Sequence, residues 1–242
     1  MEKASTTKAS PSAKGETQRV ELDRAEQTLT RRIAESKATV PHIYLRATID
    51  MSRAVEVRAA FSVAAAAGEP MPSTTDMVVK AVALALREHP RANGSYRDGG
   101  LELYSRVNVG VAVTTGDSFA VPTIVDADRM SLAEIANESR RLAEEVRNGQ
   151  ATAAALSGGT FTIVDLGGFG VRDFDPVIFG GQAAALGLGE IAERPVVRES
   201  GPGKAHLMEV ALACDHRILY GAGAATLLAD IRRNLEEPDR LA

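Results

Sequence analysis

The stretch that best suits chemistry is Val210-Ala211-Leu212-Ala213-Cys214-Asp215-His216-Arg217-Ile218-Leu219-Tyr220-Gly221. An apolar run ends in Asp-His-Arg, a glycine follows, and a helical pattern begins. That order places His216 at the end of a buried strand, where the backbone is stiff and the ring can face a cleft. Imidazole titrates nearest neutrality of all side chains, so a positioned histidine suits general-base work. On local pattern alone, a lone histidine at a strand end is more often a satisfied structural residue. No metal chemistry competes with this reading: the four histidines and one cysteine match no metal-site spacing, and none is expected.

The elements around that stretch read as α/β. A first helix is expected from about Leu22 to Lys37, with Leu22, Ala25, Leu29 and Ile33 on one face. A strand follows, with His42, Tyr44 and Arg46 alternating against Ile43, Leu45 and Ala47. A second helix is expected from Ser52 to Ala67 and a third from Thr75 to Glu88, capped by Ser73 or Thr74 and ended by Pro90. Val107–Val113 and Phe119–Val125 read as core strands, and a long helix spans Ser131 to Asn148. Gly201-Pro202-Gly203 reads as a turn before the central strand. Beyond Gly221, Ala225, Leu228, Ile231 and Leu235 mark a last amphipathic helix, closed by Pro238.

The chain of 242 residues fits one large domain. Residues 1–19 carry almost no large apolar side chain and are expected to be a disordered tail, with residues 20–242 forming the catalytic domain. A net charge of −4 with no basic block excludes a nucleic-acid partner on these grounds. No apolar run is long enough for a membrane span, and the N-terminus shows no secretory signal. Cys214 alone precludes an intrachain disulfide and fits a reducing compartment, so a cytoplasmic location is expected.

The central stretch resembles the active-site signature of the acyltransferase (E2) subunits of 2-oxo acid dehydrogenase complexes, which share a fold with chloramphenicol acetyltransferase. That signature reads Asp-His-Arg, two apolar residues, Asp, Gly. Asp215, His216, Arg217, Ile218, Leu219 and Gly221 match it, and Tyr220 stands at the second Asp. Ser157-Gly158-Gly159-Thr160-Phe161-Thr162-Ile163-Val164-Asp165-Leu166-Gly167 resembles a second signature, Gly-Gly-x-Phe-Thr, apolar, Ser or Thr, Asn, apolar, Gly. Val164 occupies the hydroxyl position and Asp165 the Asn. Two further departures are Phe179-Gly180-Gly181, where the family commonly has Asn-Pro-Pro, and Glu26, where it usually has Arg. Changes at both Glu26 and Tyr220 raise the expectation that the two positions pair.

The resemblance implies a chloramphenicol acetyltransferase-like two-layer sandwich with a mixed β-sheet and flanking helices. It also implies a homotrimer with active sites between subunits. In that arrangement His216 of one subunit faces the strand bearing Thr162 and Val164 of another. The implied reaction has no covalent enzyme intermediate: the histidine deprotonates a thiol or hydroxyl, which attacks the carbonyl of an acyl-CoA thioester. A side-chain hydroxyl stabilises the oxyanion. Valine cannot donate, so Thr162, on the same strand face, is the substitute donor to weigh against an ordinary strand threonine. Tyr220, Val164, Asp165 and His42 are the substrate-binding candidates, and for His42 a partly buried structural role is the stronger reading.

No lipoyl or subunit-binding domain is recognised, so a free-standing enzyme is expected. Its expected reaction moves acetyl from acetyl-CoA, a co-substrate rather than a bound cofactor, to a hydroxyl of a small or carrier-bound intermediate of polyketide or tetronate type. The alternatives are a dihydrolipoamide acyltransferase served by a lipoyl protein in trans, and a catalytically inactive trimeric scaffold.

Overall fold

The computed structural model describes residues 15–64, 71–116, 118–198 and 201–241. Most of the expected tail, the last residues of the expected second helix, and Asp117 lie outside the described residues.

Six strands form the main sheet, in the order β1-β10-β9-β8-β4-β7. They are β1 (His42–Asp50), β4 (Val109–Val111), β7 (Thr123–Ile124), β8 (Phe161–Asp165), β9 (Ala184–Arg198) and β10 (Gly201–Asp215). β8 runs parallel to both β4 and β9, and the other pairings are antiparallel, so the sheet is mixed as expected. Two small hairpins, β2 (Gly94–Arg97) with β3 (Gly100–Leu103) and β5 (Val113–Thr115) with β6 (Ser118–Ala120), stand apart from it. The helices are α1 (Arg24–Thr39), α2 (Ser52–Ala64), α3 (Thr74–Glu88), α4 (Leu132–Arg147) and α5 (Gly221–Glu236).

Alternation along the strands sorts the two faces. Ile43, Leu45 and Ala47 of β1, Leu212 and Cys214 of β10, Leu186 of β9 and Ile163 of β8 join one core with Val78, Val82, Ile135, Leu227 and Ile231 from the helices. Burying these side chains drives the two-layer packing, at about 25 cal/mol per Å² of apolar surface. Helices α1, α3 and α4 each open with a capping box, built on Asp23, Ser73 and Ser131. Each box satisfies otherwise orphaned N–H groups at the helix start.

The opposite face of the sheet is covered by the segment from Val171 to Gln182. Arg46 binds Asp173 at 2.7 Å and also Asp175. Ser36 of α1 donates to the Ile178 carbonyl. A Cβ at Gly187 would lie 2.9 Å from Phe174, so only glycine lets that ring close on the sheet.

One expectation is corrected. Gly201-Pro202-Gly203 is not a turn: these residues open β10 and pair with Arg198, Val197 and Val196. Pro202 is tolerated because it lies at the tip of the hairpin, where β1 pairs no further than Leu207.

Candidate active site

β10 delivers the Asp-His-Arg stretch. Asp215, its last residue, is 1% exposed. Its Oδ1 accepts from the Arg217 backbone N–H at 3.0 Å and from Arg217 Nε at 2.9 Å, and its Oδ2 accepts from Nη2 at 2.7 Å. This fork holds the guanidinium above its ordinary pKa. Arg217 also lies over the Tyr96 ring, 4.3 Å from its centroid. The Ile218 and Leu219 N–H groups both bond back to the Asp215 carbonyl, and the His216 N–H reaches the Pro41 carbonyl at 3.0 Å. Asp215 and Arg217 thus clamp each other across the turn, and the residue between them is turned outward. His216 is exposed. Cys214 is fully buried, and burial pushes its thiol up to about 12, so it is packing rather than a nucleophile.

Beside His216 lies Tyr220, 59% exposed, with ring centroids 5.9 Å apart at 82°. Tyr220 is the N-cap of α5 and makes no side-chain capping bond. Arg91 lies on the Tyr220 ring at 5.6 Å. The expected link to Glu26 is not found in the subunit: Glu26 closes the α1 capping box by accepting from the Asp23 N–H at 2.9 Å. A long side chain at that helix position serves its own N-terminus, whose orphan N–H groups are the nearest donors.

His42 is drawn away from the substrate-binding role. Its Nε2 accepts from the Ile178 N–H at 3.2 Å, which leaves the proton on Nδ1, and Nδ1 donates to the Val40 carbonyl at 2.8 Å. This network fixes the neutral ring, and burial lowers its pKa. The ring ties the start of β1 to the covering segment.

Thr162 is 0% exposed, and its hydroxyl donates to Gln182 Oε1 at 2.9 Å. Gln182 Nε2 in turn donates to the Gly159 carbonyl at 3.0 Å. Of the two roles weighed for Thr162, this geometry favours the structural one. Val164, two residues on, is half-buried. Asp165 accepts from Thr75 Oγ1 at 2.7 Å and from the Gly167 N–H at 2.9 Å. It lines a cavity of about 310 Å³ with Arg58, Thr75, Gly167, Gly168 and Ile191.

The two halves of the expected site lie apart in one subunit. Val164 faces Gly187 on β9, and Gly187 faces Ala211 on β10. His216 is five residues beyond Ala211. Five rises along a strand and two interstrand spacings put the base about 20 Å from Val164. One thioester carbonyl cannot meet both within a subunit. Sequence reasoning missed Arg91, Tyr96 and Gln182, whose contacts to the site come from distant segments and leave no local signal.

A family model described as "2-oxoacid dehydrogenases acyltransferase (catalytic domain)" matches residues 14–242. An Arabidopsis thaliana dihydrolipoyllysine-residue acetyltransferase component 3 of the mitochondrial pyruvate dehydrogenase complex is 39% identical over 86% of this chain and 39% of its own length. The Rickettsia typhi acetyltransferase component of that complex is 32% identical over 88% of this chain and 53% of its own. The chain therefore spans about two-fifths to one-half of these relatives. Among solved structures, the Azotobacter vinelandii dihydrolipoamide acetyltransferase superposes with a TM-score of 0.90 at 28% identity, covering 95% of this chain and 96% of that one. That structure addresses the roles of a serine, a histidine and an asparagine in its catalytic mechanism, and the same two intervals counted from His216 fall on Val164 and Tyr220. The cubic core of a pyruvate dehydrogenase complex matches equally well, with a TM-score of 0.90 at 29% identity. Chloramphenicol acetyltransferase, at 14% identity and a TM-score of 0.52, shares the fold. Sequence and fold agree over nearly the whole length, and the chain belongs to the family of 2-oxoacid dehydrogenase acyltransferase catalytic domains.

Proposed function

We propose that this acyltransferase moves an acetyl group between the thiol of CoA and a dihydrolipoyl thiol, with His216 as general base. The carrying observation is the Asp215–Arg217 clamp, which projects an exposed imidazole from a rigid strand end. The relatives act on dihydrolipoyl groups by name, and that moves the thiol acceptor ahead of the hydroxyl acceptor expected from sequence. The imidazole takes the acceptor's proton, and the thiolate attacks the thioester carbonyl. The tetrahedral intermediate collapses, and the departing CoA sulfur recovers the proton from the imidazolium.

The separation of about 20 Å between His216 and Val164 supports a site completed by a second copy of the chain, whose β8 would face this base. A trimer arranged in that way would place donor and acceptor at opposite ends of one channel.

A second reading, transfer to the hydroxyl of a small or carrier-bound intermediate, is favoured by one observation: Val164 and Tyr220 occupy the positions that the Azotobacter comparison marks. Release of CoA from acetyl-CoA, followed with dihydrolipoamide and with a panel of alcohols, decides between them. His216→Ala is expected to lower the rate about 10²–10⁴-fold. Equal rates for variant and parent would refute the assigned base. Failure to bind acetyl-CoA at all would leave the inactive scaffold.

A further inference from the structure

Within one subunit, and among the described residues, Arg91 is the cation at this site with no acid beside it. It follows Pro90 in a short 3-10 turn, Pro90–Ala92, fixed by bonds from the Ala92 N–H to the His89 carbonyl and from the Asn93 N–H to the Pro90 carbonyl. The residue is exposed, and among the described residues its guanidinium has neither a hydrogen bond nor an ion pair. It lies over the Tyr220 ring, 5.6 Å from its centroid, and that ring stands 5.9 Å from His216. The guanidinium therefore lies within about 12 Å of the base.

The other charged groups nearby are spent. Arg217 is held by Asp215, and Asp215 is buried beneath it. His42 is kept neutral by two backbone partners. The first turn of α5 holds no acidic residue. A Cβ placed on Gly221 or Gly223 would meet nothing within 4 Å, so the space before the helix is open. An aspartate at position 220, as in the signature, would put a carboxylate beside both Arg91 and His216. Tyr220 carries no such charge and offers Arg91 only its ring face.

We propose that Arg91 selects acceptors that carry a carboxylate a short alkyl chain away from the reacting sulfur or oxygen. The inference rests on the acetyl-transfer reading of His216. The phosphates of CoA lie beyond the far end of the pantetheine arm, so a cation this close to the base addresses the acceptor instead. A lipoyl group bound to a lysine is an amide and carries no charge there, whereas free dihydrolipoate carries one. A surface charge pair of this kind discriminates by up to about fivefold.

The test compares kcat/KM for dihydrolipoate and dihydrolipoamide in the parent, R91A and R91E. The parent is expected to favour the acid by up to about fivefold, R91A to lose that preference, and R91E to reverse it. High salt is expected to weaken the parent's preference. In parallel, calorimetric titration with octanoate and octanamide reads the same discrimination without turnover. Parallel losses on both acceptors, or a preference for octanoate that survives R91A, would overturn the proposal. Failure of the acetyl-transfer reading shows separately, as turnover that persists in His216→Ala.

Discussion

Replacing Tyr220 by aspartate tests how this site differs from the signature it otherwise follows. Tyr220 caps α5 with its backbone already extended, at φ −81 and ψ 160, but contributes no acceptor. The first turn behind it holds Gly221 and Gly223 and no acidic residue, so the helix start is weak. An aspartate needs no change of backbone there to accept from an N–H in the first turn. The cap contributes about 1 kcal/mol and the helix dipole about 0.5 kcal/mol. Against this stand the edge-to-face contact with His216 and the exposed cation–π contact with Arg91, about 0.5 kcal/mol each. Tyr220 is 59% exposed, so little burial is forfeited, and the new carboxylate regains Arg91 as a partner. The net gain is about 0.5–1 kcal/mol, or roughly 2–3 °C in Tm for a chain of this size. The same carboxylate, placed beside the imidazole, favours the imidazolium form of His216 electrostatically. A base is lost when protonated, so the acid limb of kcat/KM against pH should move upward. The assays are thermal denaturation and a pH–rate profile, with Tyr220→Phe as a control that keeps the ring. A Tm at or below the parent's, with an unmoved acid limb, would refute both the uncapped helix and the proximity of residue 220 to the base.

Three further outcomes follow from the same geometry. Thr162→Val leaves Gln182 Oε1 without its donor in a fully buried site, so stability should fall by about 1–3 kcal/mol in urea denaturation while turnover per folded enzyme holds. A collapse in kcat at unchanged stability would restore Thr162 as an oxyanion donor. His42 has its pKa lowered by burial, so its contribution is fully present above the unfolded value near 6.5 and is lost as pH falls through the folded one. His42→Gln should therefore flatten the fall of stability below about pH 6.5; identical pH slopes for variant and parent would remove this assignment. Val164→Ser returns a hydroxyl to a half-buried strand position and should raise kcat with dihydrolipoamide, by up to about 10²-fold. No gain in a folded variant would place the oxyanion elsewhere.

Much of the fold was legible because its elements carry their own periodicity. The expected third and fourth helices differ from Thr74–Glu88 and Leu132–Arg147 by a residue at their ends. The alternation of His42, Tyr44 and Arg46 against Ile43, Leu45 and Ala47 correctly separated the two faces of β1. Gly-Pro-Gly misled because a turn composition was read where the strand register, a long-range property, decides. The single run expected over residues 107–113 is split between β4 in the main sheet and β5 in a separate hairpin, which no local pattern encodes. At the site, the motif placed His216 at the end of a strand, and the structure has it exposed there. The role of Thr162 was not, because its partner Gln182 lies twenty residues away.

The parts of this site that aim the base and the parts that ease the reaction are separable, and the sequence has altered them unequally. Aim depends on Asp215, Arg217 and the end of β10, all within one subunit, buried or doubly bonded, and all matching the signature. Ease depends on a hydroxyl at position 164 and a polar carboxylate or carboxamide at position 220, and both are exchanged. A positioned base contributes about 10²–10⁴-fold, while one oxyanion donor contributes about 10²–10³-fold. On the proposed reading, losing the second while keeping the first predicts a slow enzyme rather than an inert one. An acceptor that binds more firmly, or whose leaving partner is already a good thiolate, makes up part of the difference. Tyr220 places no carboxylate at the mouth of the site and leaves Arg91 available to supply such binding. Charge recognition of the acceptor and weaker stabilisation of the oxyanion are then two consequences of one shift, from making the transition state easy to choosing what reaches it.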